Sequence, residues 1–244
     1  MIQNIPGVTR DCWRWALCAL TTVGLLTPAL LFAPFAPTKC RRLLDRWCRR
    51  QLAIFGITVS VTDHNNHGYD RLPYLYVILN QTSLCEVFLI QYTIPTLFEV
   101  FLNIEYALLP FLGWLLWLKG GVVIVRQWGW QARRGVDNVS RRLRRGKSFY
   151  MSVEGQRSTD GRLHPYRKGA AVMAIQSQAT IIPIVIRGAR EIMSYGTWRI
   201  RPGHAEVVLC EEIATVGMTS ADRQALLDRL RAVAKLHPDF DTSR

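Results

Sequence analysis

Residues 149–170 read FYMSVEGQRSTDGRLHPYRKGA. Residues 149–153 form a short apolar run with the character of a buried strand. It ends in Glu154-Gly155-Gln156-Arg157-Ser158, and a basic lead-in from Gly161 to Lys168 then opens a helix at Gly169. A carboxylate and a guanidinium flank one glycine just ahead of a helix N-terminus. That arrangement suits a phosphate, because the helix end supplies free N–H groups and the side chains supply charge. A solvated loop with an internal Glu154–Arg157 pair is the plainer explanation of the same residues.

Two further clusters follow strand-like runs. Asn80-Gln81-Thr82-Ser83-Leu84-Cys85-Glu86 is a polar knot between apolar segments. Ser83 or Thr82 can cap the helix that follows, and Glu86 in its first turn suits the positive end of the dipole. Gly120-Gly121 precedes the run 122–125, from which Arg126 emerges. An arginine at the end of a buried strand must reach water, a carboxylate or a ligand phosphate.

Around these clusters strand-like and helical stretches alternate. Strands are expected at 57–62, 74–79, 122–125, 149–153, 181–186 and 206–209. Helices are expected at 41–55, from 87 until Pro95, and at 131–145, 169–178 and 220–236, the last capped by Ser220. The alternation predicts an α/β fold with a mixed, largely parallel sheet flanked by helices. Residues 107–118 (ALLPFLGWLLWL) are too short to cross a bilayer and read either as core helix or as a membrane-facing or acyl-chain-lining surface.

The chain has 244 residues, 49% of them hydrophobic, and a formal net charge of +13. Such a charge fits nucleic acid or an anionic membrane with its phosphate-bearing lipids. Residues 15–36 carry no charge, and that decides for the membrane and against nucleic acid. The stretch is long enough for a helix across a hydrocarbon core of ~30 Å, although Pro28 and Pro34 should kink or break it, so that a transmembrane helix and a re-entrant hairpin both fit. The excess of arginine after it places the remainder on the cytoplasmic side. Residues 1–56 would then be an anchor with a basic amphipathic helix, and 57–244 the α/β domain. The six cysteines and five histidines form no metal-binding pattern, so no metal site is expected.

Over about residues 72–190 the order and spacing of the clusters resemble the lysophosphatidic acid acyltransferase (phospholipid/glycerol acyltransferase) family. Its third motif is matched in register by Glu154, Gly155, Arg157, Ser158, Gly161, Leu163, Pro165, Lys168, Gly169 and Ala170. Its second is matched from Gly121 to Arg126, and its fourth by Ile182-Pro183-Ile184-Val185. The first motif departs. Where the family has Asn-His-x-x-x-x-Asp, this chain has Asn80, Gln81 and Glu86, and a neutral amide cannot accept the proton that the histidine takes. Val153 and Gln156 also replace the family's proline and threonine.

The resemblance implies acyl transfer from an acyl-CoA or acyl-carrier-protein thioester, used as co-substrate with no bound cofactor, to a lysophospholipid-like acceptor. On that reading Arg126, Arg157 and Lys168 hold phosphate, and Glu154 with Gly155 orients Arg157 or a substrate hydroxyl. Asn80 and Ser83 contact substrate, Gln81 positions the acceptor or polarises the thioester carbonyl, and Glu86 is the remaining base. The altered first motif equally suits a relative that binds lipid phosphate without transfer, or one that cyclises or hydrolyses a carrier-bound acyl group.

Overall fold

The structure is a computed structural model describing residues 7–65, 69, 73–125 and 129–237. Two long helices come first, α1 (Gly7–Phe32) and α2 (Pro37–Phe55), the latter closed by Gly56 in the left-handed conformation. Strands and helices then alternate. They are β1 (Ile57–Asp63), β2 (Tyr74–Ile78), α3 (Glu86–Thr93), β3 (Phe98–Asn103), α4 (Ile104–Ala107), α5 (Leu112–Leu118) and β4 (Val122–Ile124). There follow α6 (Gly129–Leu143), β5 (Ser148–Ser152), α7 (Gly169–Ser177), β6 (Thr180–Arg187), α8 (Ala189–Ile192), β7 (Gly203–Leu209) and α9 (Arg223–Leu236).

The strands form one sheet in the order β1-β7-β6-β2-β5-β3-β4. All neighbours are parallel except β6 and β7, so the sheet is mixed and largely parallel, as the alternation implied. Strand β2 shows why. Leu75 and Val77 enter the apolar layer under α6, α7 and α9, whereas Tyr74, Tyr76 and Ile78 enter the opposite layer. A strand covered on both faces reads as a continuous apolar run.

Three local expectations change. Pro28 does not break α1; Leu26 and Ala29 beside it pack on α2 and hold the helix across the missing hydrogen bond. The chain turns at 33–36 instead, and Pro37 opens α2, where an absent N–H costs nothing. Strand β3 was not anticipated. Its Glu99 interrupts the apolar run and is used in an ion pair with Arg142 of α6. The cap near α9 is Thr219, reciprocally bonded with Asp222, and Ser220 lies inside the short 3-10 turn that follows.

Helices α1 and α2 form a hairpin laid against the α/β body. Leu26 and Ala29 pack with Leu44, Trp47 and Leu115. The Trp47 and Gln51 side chains donate to Thr22 and Thr21. Nearer the N-terminus, Trp15 sits edge-on to Phe55 and donates to the Trp198 carbonyl. Helix α1 is the one helix among the described residues that is long and apolar enough to cross a membrane. Yet it touches the body near both ends, and its outer face leaves Leu20, Val23 and Leu31 exposed. Segment 107–118 splits likewise, with Leu115 buried against the hairpin and Trp114 and Trp117 exposed.

Deleting residues 1–36 should therefore uncover Leu44, Trp47 and Phe55 and not release a tidy domain. The expected result is an insoluble chain, or one whose melting temperature falls by roughly 10 °C or more. A soluble truncation that melts cooperatively at the full-length temperature would show the hairpin to be an appendage.

Candidate active site

The first and third polar clusters lie beyond the C-terminal ends of β2 and β5, which are adjacent and parallel, the usual place for a site in such a sheet, whereas Gly120 and Gly121 of the second precede β4 at its other end. The loop after β2 and the loop after β5 are stitched together. The Ser158 N–H donates to the Gln81 carbonyl at 2.7 Å, and the Gln81 N–H donates to Glu154 Oε2 at 3.2 Å. The other oxygen of Glu154 accepts the His164 N–H at 2.8 Å. Gly155 sits at φ +72°, a left-handed conformation in which a side chain is strained, and this lets the chain turn directly after Glu154.

Glu86 holds the first loop from inside the fold. Its Oε1 accepts from the Thr82 N–H at 2.7 Å, the Ser83 N–H at 2.8 Å and the Thr82 hydroxyl at 3.1 Å. The expected cap by Ser83 or Thr82 is thus inverted: the carboxylate in the first turn of α3 reaches back to the loop, and the N-cap position is Cys85. Burial pushes the Glu86 carboxyl up to about 7, against the pull of those donors and of Arg157. Its Oε2 is buried with no hydrogen-bond partner. Burial also pushes Glu154 up to about 8, despite the His164 and Gln81 N–H groups.

A cavity of about 900 Å³ opens over these loops. Gln81, Gly155, Arg157 and Lys168 line it, together with His164 and Arg167. The opposite wall is apolar and comes from Leu44 and Trp47 of α2, Phe98 and Phe101 of β3, and Leu112 and Leu116 of α5. Arg157 stacks on Tyr195, 4.9 Å from the ring centroid, and hydrogen-bonds Tyr106.

Other expected site residues are used differently. The Asn80 amide is buried and exchanges two hydrogen bonds with the backbone of Ile186, latching the loop to β6. The Ser83 hydroxyl donates to the Met193 carbonyl at 2.7 Å. Neither lines the cavity, and Glu154 faces backbone N–H groups where the sequence suggested Arg157. Arg126 lies outside the described residues. Missed in the sequence were Tyr106, Tyr150, Tyr195 and His164, all on the cavity wall. Only His164 had a readable signal, standing four residues after Asp160 within the third cluster. Among the described residues no group of His, Cys, Asp and Glu could hold a metal ion.

The profile of the family described as Acyltransferase matches residues 60–187, more than half of the chain. The protein belongs to the acyltransferase family. It is 28% identical over 191 residues to the chloroplastic 1-acyl-sn-glycerol-3-phosphate acyltransferase of Arabidopsis thaliana, covering 75% of this chain and 51% of that protein. It is 30% identical over 193 residues to the 1-acyl-sn-glycerol-3-phosphate acyltransferase of Limnanthes douglasii, covering 78% and 67%. The chain thus spans about half the length of the Arabidopsis relative and two thirds of the other. The crystal structure of the 1-acyl-sn-glycerophosphate acyltransferase PlsC from Thermotoga maritima superposes with a TM-score of 0.79. At 20% identity over 95% of this chain and 94% of that one, it shares the acyltransferase fold.

Proposed function

We propose that this acyltransferase-family chain moves an acyl group from an acyl-CoA or acyl-carrier-protein thioester to the hydroxyl of a lysophosphatidic-acid-like acceptor. The observation that carries this reading is the single cavity with a basic end and an apolar wall, since an amphipathic lipid needs both in continuity. Arg157 and Lys168, both on the cavity wall, would meet the acceptor phosphate, Lys168 from the N-cap position of α7. Acyl chain would lie along Trp47, Phe98 and Leu116. The Gln81 amide can donate to the thioester carbonyl as negative charge develops there. Glu86, buried beneath the loop, holds the Thr82 and Ser83 backbone that follows Gln81.

The chain works at a membrane surface on this reading, with its outer hairpin face and the exposed Trp114 and Trp117 in the interfacial layer. Exposed Arg42, Arg46, Arg49 and Arg50 on α2 fit the anionic headgroups of a cytoplasmic leaflet. Residues 1–56 would anchor, and 57–244 would carry the chemistry.

The test is the full-length chain in lipid nanodiscs with labelled acyl-CoA and acyl-carrier-protein donors and a panel of lysophospholipids. Mass spectrometry should find the diacylated phosphate product, with the acceptor phosphate required for efficient transfer. Tight lipid binding with no product would instead assign the chain to ligand binding without transfer. Cyclised or hydrolysed acyl products would assign it to a re-purposed chemistry.

A further inference from the structure

Gln81 cannot serve as a base, so the proton of the acceptor hydroxyl needs another destination on the cavity wall. His164 is on that wall, as are Gln81 and Arg157. Its Nε2 lies 3.3 Å from Asp160 Oδ1. Asp160 is itself fixed, because the same oxygen accepts from the Ser158 hydroxyl and from the Arg162 N–H, both at 3.0 Å. The Arg162 N–H is the largest influence holding the Asp160 carboxyl below the usual carboxylate range, so it is an anion at neutral pH.

Two independent links tie this pair to the first-motif loop. The Glu154 carboxyl group bridges the N–H groups of Gln81 and His164. The second link runs from the Gln81 carbonyl through the Ser158 N–H, and from the Ser158 hydroxyl through Asp160 to the imidazole. Together they close a ring of bonds that contains both residues.

We propose that His164, oriented by Asp160, is the general base of acyl transfer in this chain, placed on the third-motif loop in compensation for Gln81. The inference rests on the acyltransfer reading above. With Asp160 holding the proton on Nε2, the lone pair stands on Nδ1, the tautomer a base requires. The acceptor oxygen bonds to the thioester carbonyl carbon as its proton passes to Nδ1. The tetrahedral oxyanion then collapses and breaks the carbon–sulfur bond. The departing thiolate takes the proton back from the imidazolium, leaving an ester and a free thiol. The titratable and charged groups around His164 are Asp160, Arg167 and Lys168 on its own loop, Glu154 bonded to its N–H, Arg231 of α9 bonded to its carbonyl, and Arg157 on the same cavity wall. Glu86 is the competing candidate, but it is fully buried and does not reach the cavity wall.

The experiment compares full-length wild type, His164→Gln, His164→Ala, Asp160→Asn and Glu86→Gln in nanodiscs, with labelled palmitoyl-CoA and 1-acyl-glycerol 3-phosphate. Both His164 variants are expected to lose about 10²–10⁴-fold in kcat with KM for either substrate little changed. Added imidazole should restore part of the rate to His164→Ala and none to His164→Gln. Asp160→Asn should lose less, and should shift the acid limb of the kcat profile, which a structural role would leave in place. Transfer that survives in both His164 variants and disappears in Glu86→Gln overturns the proposal and moves the base to Glu86. Transfer that survives in all the variants overturns it as well. A wild type that acylates no acceptor overturns the acyltransfer reading, and the base assignment falls with it.

Discussion

Arg157→Ala is expected to lower kcat/KM for a lysophosphatidic acid acceptor by about 10²–10⁴-fold, with only a small change in melting temperature. The magnitude follows from losing two charge-assisted hydrogen bonds to phosphate, each worth ~1.5–3 kcal/mol, when a tenfold change is about 1.4 kcal/mol. The small thermal effect follows from the partners of the guanidinium. It rests on Tyr195, which is about half exposed, and hydrogen-bonds Tyr106 on the cavity wall, so little core packing depends on it. Arg157→Lys should recover only part of the loss, since a point charge replaces a planar fork. Calorimetry and binding to an acceptor analogue decide the matter. A large drop in melting temperature with unchanged affinity would return Arg157 to a structural role.

Glu86→Ala is expected to destabilise the fold by roughly 3 kcal/mol or more, because it strands two backbone N–H groups and one hydroxyl in a buried loop. Glu86→Gln keeps an oxygen for the same donors and should affect mainly the pH dependence. Burial raises Glu86 to about 7 and Glu154 to about 8, above the usual glutamate range. The fold therefore favours their protonated forms. Their contribution is full below the unfolded range near ~4.3 and is lost as pH rises through about 7 and then 8. Wild type should accordingly be less stable at pH 8.5 than at pH 5.5, by an amount on the order of a few kcal/mol. Glu86→Gln should flatten that decline, and adding Glu154→Gln should flatten it further. Parallel stability curves for wild type and Glu86→Gln would show that Glu86 stays charged in the fold.

The central strands were legible because both of their faces are covered. Ile182, Ile184 and Ile186 point to one layer while Ile181 and Val185 point to the other, so β6 announces itself by composition alone. Strand β3 was not legible. It is only partly buried and carries Glu99, whose partner Arg142 is distant in sequence and invisible without the fold. In the site, the positions were legible and several uses were not. Asn80 and Ser83 sit in the right loop, yet their side chains satisfy the backbone of Ile186 and Met193, more than a hundred residues away. Chain order says which loop a polar group occupies. It does not say whether that group turns toward the cavity or toward a neighbouring carbonyl.

The hairpin supplies part of the cavity wall, through Leu44 and Trp47 of α2, so on the proposed reading attachment and substrate binding would share one element. With the hairpin at a membrane surface, a lipid entering beside that wall would be drawn from a two-dimensional sheet. The quantity that governs its encounter with the enzyme is then its mole fraction in the surface and not its bulk molarity. Diluting the acceptor with inert detergent at constant total acceptor would slow the reaction, and a monomeric short-chain acceptor in water would be a poor substrate however concentrated.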